Sequence, residues 1–164
     1  LLDVKDKQKV LEIGSGSGYV LALLAKLNPH GKVIGIEIEK ELVKKARQSL
    51  KGIKNVEVIG GSGFKGVPSE APFERILISA AARETPRHLL PQLTEHGIIV
   101  SPVGSRIVQL KKKAQTIEDL EKPQNPLSNR FENPRITNEL EGYSKLSIEE
   151  KSFYAFAFVP LRRE

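Results

Sequence analysis

The chain has 164 residues, of which 39% are hydrophobic and 28% charged, with a formal net charge of +6 and no cysteine. That length favours one domain around a single core, and the lack of thiols excludes disulfides, thiolate zinc sites and a cysteine nucleophile. No apolar run reaches the ~20 residues of a membrane-spanning helix, and no leader of basic-then-apolar type opens the chain.

These features fit a cytoplasmic protein that does not engage a membrane. The positive charge invites a nucleic-acid partner, but aromatics make up only 5% of the residues. The one tight basic run, Lys111-Lys112-Lys113, has no interleaved aromatic for base stacking and reads as a solvated strand end. No nucleic-acid partner is therefore expected. His30, His88 and His96 show no metal-ligand spacing, so no metal is expected either. With no methionine in the chain, Leu1 is read as the start of a processed, trimmed or partial protein.

Val10–Ile13 predicts a short buried strand, and Tyr19–Leu27 a helix with Val20, Leu23, Leu24 and Leu27 at helical spacing. Asn28-Pro29-His30-Gly31 stops that helix with turn chemistry. Lys32–Ile36 predicts a second strand, and Lys40–Lys51 a charged amphipathic helix ended by Gly52. Val56–Ile59 and Arg75–Ser79 predict two more strands. Thr85-Pro86 reads as a helix entry, with the helix running to about Leu93 and a turn at His96-Gly97. Gly97–Pro102, Arg106–Lys112 and Phe153–Leu161 complete the strands. Residues 114–152, with Pro123, Pro126 and Pro134 among mixed charges, predict an irregular excursion.

Strands alternating with helices predict a Rossmann-like α/β fold: a doubly wound, mostly parallel sheet with antiparallel C-terminal strands. Residues 1–164 are read as a single domain. Ligands of such sheets sit beyond the carboxyl ends of the strands, where the connections diverge. Three segments converge there: the turn Gly14-Ser15-Gly16-Ser17-Gly18, Glu37 with Ile38 behind the second strand, and Gly61-Ser62-Gly63 behind the third. Glu37 follows Gly14 at about the 20-residue separation expected for an acid bonding ribose hydroxyls. A dinucleotide fingerprint needs a third glycine where Tyr19 or Leu21 stands. The G-x-G-x-G pattern suits a cofactor without a pyrophosphate, S-adenosyl-L-methionine.

The chain resembles the protein-L-isoaspartate O-methyltransferase family. The resemblance rests on Val10–Tyr19, Val33-Ile34-Gly35-Ile36-Glu37, Glu70–Ile76, Ser79-Ala80-Ala81-Ala82, Leu89–Leu93, Pro102-Val103-Gly104 and Phe158-Val159-Pro160-Leu161. It implies methyl transfer from S-adenosylmethionine to the α-carboxylate of L-isoaspartyl residues in damaged proteins, by a monomer whose partners are isoaspartyl-containing peptides and proteins. Two departures stand out. Ser62 occupies the position of the family's usual aspartate beside the adenine. The family's segment before the first motif, which supplies a hydroxyl near the reacting methyl, has no counterpart ahead of Leu1, so no catalytic residue is assigned.

Among the cofactor contacts, Glu12 reads equally as a partner of the methionine end and as a strand-end carboxylate. Ser79 reads equally as a cleft residue and as a structural one. Arg83 and Arg87 read as a solvated helix start that an acidic substrate would also meet. Alternatives outside the repair reading are a methyltransferase for RNA or a small molecule, and a degenerate S-adenosylmethionine-binding domain without activity.

Overall fold

The computed structural model describes residues 1–113 and 148–154. Its strands are β1 (Lys9–Ile13), β2 (Lys32–Glu37), β3 (Val56–Gly60), β4 (Phe73–Ile78), β5 (Leu93–Val103), β6 (Arg106–Lys112) and β7 (Ile148–Tyr154). Its α-helices are α1 (Tyr19–Leu27) and α2 (Lys40–Ser49). The sheet runs in the order β3-β2-β1-β4-β5-β6-β7. β1 to β5 are parallel, β6 is antiparallel to β5, and β7 is antiparallel to β6. The expected sheet, parallel first and antiparallel at its C-terminal end, is the one observed.

β1 lies at the centre of the five parallel strands, paired with β2 on one edge and β4 on the other. A strand covered on both faces reads as a continuous apolar run, and Val10 and Leu11 are fully buried on opposite faces. α1 and α2 cover one face through Leu21, Leu24, Val43, Ala46 and Leu50. α1 sits close to β2, since a Cβ placed on Gly35 would lie 2.4 Å from Leu21 Cδ1. Asn28, fully buried at the end of α1, ties it to the start of β1: its Oδ1 accepts from the Gln8 amide at 3.0 Å and its Nδ2 donates to Gln8 O at 2.6 Å.

The other face is covered differently. Val67, Leu89 and Leu90 from the β3–β4 and β4–β5 connections, with Leu93 at the start of β5, pack onto Leu11, Ile34, Ile76 and Ile99. These connections carry only the 3-10 turns Pro68–Glu70 and Arg87–Gln92. The helix expected over Thr85–Leu93 is therefore corrected to one short 3-10 segment. Pro91 lies inside it, and a proline there has no N–H to donate and clashes with the preceding turn.

The turn expected at His96-Gly97 lies within β5. His96 takes a positive φ of 61° there, and the β4–β5 register shifts between Phe73 and Arg75. Turn chemistry has been absorbed as a bulge in a long strand.

A third correction concerns the excursion assigned to residues 114–152, because β7 already begins at Ile148. β7 is paired along its whole length, from Ile148 opposite Lys112 to Tyr154 opposite Arg106. Its polar sequence hides it from an apolar pattern; the ladder to β6 holds it, with Glu149 pairing across to Lys113 at 3.6 Å and along the strand to Lys151 at 2.9 Å. Residues 114–147 of the excursion, and residues 155–161 of the strand expected there, lie outside the described residues. Among the described residues, no helix is long and apolar enough to cross a membrane.

Candidate cofactor-binding site

The sheet order reverses between β1 and β4, so the connections leaving β1 and β4 diverge and leave a crevice at the strand ends. Gly14 takes φ +79°, and a Cβ there would lie 2.9 Å from Ala80 Cβ. Only glycine adopts this conformation cheaply and also lets the β1 and β4 exits cross so closely. The amides of Gly14 and Ser15 both donate to Ile36 O, at 2.9 and 3.2 Å, which folds the turn back over β2. α1 begins at Gly18 without a side-chain cap, so its first amides remain available to an incoming acceptor.

Glu37 ends β2 and is 7% exposed. Its Oε2 accepts from the Gly16 amide at 2.8 Å, and its Oε1 from the Ile38 and Glu39 amides at 2.8 and 2.9 Å. Three N–H donors satisfy the charge and clamp the glycine turn onto β2. A carboxylate offers about four acceptor positions, so the clamp leaves capacity for a further donor. The carboxylate expected to meet ribose hydroxyls thus also builds the turn.

Glu12, only 1% exposed, projects from β1 on the α1 side of the sheet. Ser79 Oγ donates to its Oε1 at 2.6 Å, while Oε2 has no hydrogen-bond partner. Burial pushes the Glu12 carboxyl up to about 7; the Ser79 bond opposes that shift and the negative charge of Glu37 adds to it. Ser15 Oγ is likewise buried without a partner.

A cavity of about 590 Å³ opens over these strand ends, within the range of roughly 300–1,000 Å³ typical of small-molecule sites. Gly14, Glu37, Ile38, Ser62 and Gly63 line it, together with Ile13, Ile36 and Ile78 and the segment Ala80–Glu84. Ser15, Gly16, Ser17 and Gly18 build the turn beside the cavity without lining it, and Glu12 lies behind it. Gly61 lines a separate groove with Ile38, Lys40 and Arg47. Arg83 reaches the cavity, whereas Arg87 pairs with Glu150 of β7.

Sequence reasoning missed one wall. Phe64 and His88 stack with ring centroids 4.9 Å apart, and His88 Nε2 donates to Phe64 O at 2.7 Å. Both residues line the cavity. Their contact joins the β3–β4 and β4–β5 connections, twenty-four positions apart, and no local pattern signals it. The bond between Glu12 and Ser79 was hidden in the same way, since it depends on β1 lying beside β4.

The reversed parallel sheet, the glycine turn and the acid at the end of β2 define a Rossmann-like domain built to hold a nucleoside-containing cofactor. The donor set fits S-adenosylmethionine: the crevice has the apolar lining a nucleoside would need, and the unpartnered oxygen of Glu12 has the chemistry an ammonium would need. The family model described as protein-L-isoaspartate(D-aspartate) O-methyltransferase matches residues 1–131, and the chain belongs to that family.

Among curated relatives, protein-L-isoaspartate O-methyltransferase 2 of Archaeoglobus fulgidus is 46% identical over 110 residues, covering 65% of this chain and 50% of its own. The Methanopyrus kandleri protein-L-isoaspartate O-methyltransferase is 45% identical over 123 residues, covering 73% of this chain and 54% of its own. A solved structure of a protein-L-isoaspartate O-methyltransferase superposes with a TM-score of 0.65 at 28% identity, over 68% of this chain and 38% of that one. The chain thus spans about half the length of the curated relatives it matches.

Proposed function

We propose that this chain holds S-adenosylmethionine for methyl transfer to the α-carboxylate of L-isoaspartyl residues, as a step in protein repair. The observation that carries this reading is the glycine turn, clamped by Glu37 beside a cavity of about 590 Å³ in a member of this family. Glu37 serves the ribose hydroxyls, and Ile38 and Phe64 flank the adenine. Ser62 and Gly63 offer the adenine edge a hydroxyl and a backbone amide where the resemblance leads one to expect a carboxylate. Glu12 and the uncapped start of α1 face the amino-acid end. Gly14, Ser15, Gly16, Ser17, Gly18 and Gly61 shape the backbone around it.

When bound, S-adenosylmethionine supplies an electrophilic methyl group. The acceptor carboxylate is already ionised at neutral pH, its pKa lying near 4. No general base is required, and the contribution of the protein is alignment and exclusion of water. On this reading the partners are isoaspartyl-containing peptides and proteins, met by a cytoplasmic monomer without nucleic acid or membrane.

The test is incubation of an isoaspartyl peptide and its aspartyl twin with methyl-labelled cofactor, alongside calorimetry with S-adenosylhomocysteine. Binding together with label on the isoaspartyl peptide alone is expected. Equal labelling of both peptides would refute the repair assignment, and no binding at millimolar ligand would refute the cofactor.

A further inference from the structure

Ser79 follows the last residue of β4 and is held from two sides. Its amide donates to Ile13 O at 2.9 Å and its hydroxyl donates to Glu12 Oε1 at 2.6 Å. Glu12 therefore has one oxygen committed and one, Oε2, buried with no partner. A buried acceptor left unpaired is costly, and more so when charged. Such a group calls for an explanation.

The charged surroundings sharpen the point. From β2 the group that faces Glu12 is Glu37, another anion. On β4, Arg75 is occupied elsewhere, donating from Nε to Asp3 O and from NH1 to Glu74 O. α1 has no acidic residue in its first turn, and Lys26 lies in its last. Among the described residues, no cation is bonded to the Glu12 carboxylate.

We propose that Ser79 is a positioning residue: its hydroxyl fixes the Glu12 carboxylate so that Oε2 stays free to receive the ammonium group of an amino-acid-bearing ligand. The identity of that ligand rests on the cofactor reading above. The arrangement couples binding to protons. Burial and Glu37 raise the Glu12 carboxyl to about 7 while the Ser79 bond holds it down. Ammonium binding then favours the ionised form and releases a proton near neutrality.

The experiment uses S-adenosylhomocysteine and 5′-methylthioadenosine, which lacks the amino-acid end. Affinities are measured by calorimetry from about pH 6 to pH 9 for the wild type, Ser79→Ala, Ser79→Thr and Glu12→Gln. The carboxyl of Glu12 is titrated in parallel by carbon NMR without ligand.

In the wild type, affinity for S-adenosylhomocysteine is expected to fall about tenfold per pH unit below the Glu12 transition. In Ser79→Ala that transition moves up by about one unit, weakening binding near pH 7 by about fivefold and approaching tenfold only at lower pH. Ser79→Thr restores it, Glu12→Gln flattens the profile, and methylthioadenosine is indifferent to all three. Coincident pH profiles for wild type and Ser79→Ala, or equal losses for both ligands, would overturn the proposal and leave Ser79 structural. If a folded wild type binds neither ligand, the cofactor reading falls instead. The NMR titration still decides then whether Ser79 governs Glu12, and an unshifted carboxyl in Ser79→Ala overturns that too.

Discussion

The two halves of the site are built by different means. In the β1–α1–β2 half, one β-α-β unit does the work: glycines set the turn, an amphipathic helix covers one sheet face, and Glu37 takes the two amides that follow it and that of Gly16. In the β4–β5 half, short 3-10 turns replace a helix, His96 adopts a positive φ within a strand, and the wall is a stacked pair brought together from separate connections. The first half is braced by hydrogen bonds within a single β-α-β unit, with Glu12 Oε2 and Ser15 Oγ left unpartnered inside it. The second depends on the rest of the fold to hold its shape.

The sharpest way to break the first half is Gly35→Val. A Cβ there lies 2.4 Å from Leu21 Cδ1 and 2.9 Å from Ser15 Oγ, so α1 and the glycine turn must both shift. Overpacking of this severity goes beyond the usual range of about 1–3 kcal/mol, to about 3–4 kcal/mol. Urea denaturation reads it as a fall in midpoint at unchanged slope.

Glu12→Gln comes next and depends on pH. The folded-state value near 7 lies above the 4.5 of a free glutamate, so the folded protein holds this proton more tightly than the unfolded chain does. The stability it contributes is complete below about pH 4.5, falls as the pH rises to about 7, and is flat above that. The whole change is on the order of 3 kcal/mol. Denaturation midpoints for wild type and variant should diverge across that window and stay parallel above it. Parallel curves throughout would mean that Glu12 titrates normally.

The contrast between the halves also sets what the sequence discloses. The turn Gly14–Gly18, α1, β2 and Glu37 are legible because spacing and apolar period are local properties. The segment Thr85–Leu93 carries apolar residues at helical spacing, but Pro86 and Pro91 hold it to a 3-10 turn. His96-Gly97 shows turn chemistry and His96 takes the positive φ, but Leu93 and Ile98 on either side of it both pair with β4, so the chain runs on as one bulged strand. Ile148–Ser152 is too polar to read as a strand, because the partner that stabilises it lies some forty residues earlier in β6. The Glu12–Ser79 bond and the Phe64–His88 stack depend on the order of strands in the sheet, which no single segment encodes.

Glu37→Ala sharpens the comparison inside the clamp itself. It strands the amides of Gly16, Ile38 and Glu39. Water reaches part of this site, so the loss is about 2 kcal/mol, within the usual cost of unpaired donors. Amide exchange at Gly16 should accelerate along with the lost stability. Unchanged exchange there would show that the turn does not need the carboxylate.

Phe64→Ala has the smallest effect on folding and separates the two halves most cleanly. Phe64 is 69% exposed, so its removal forfeits little buried area. Its stack with His88 is worth about 0.5–1.5 kcal/mol, which places the stability loss near 1 kcal/mol. Stacking of an aromatic ring on a base is worth roughly 1–3 kcal/mol. Affinity for S-adenosylhomocysteine should therefore fall by about tenfold even though the fold hardly notices. Phe64→Tyr keeps the ring and should restore both quantities; a tyrosine variant as weak as the alanine would show that Phe64 does not stack on the base. The β4–β5 half would then contribute shape alone, and the chemistry of recognition would reside in the β1–α1–β2 half.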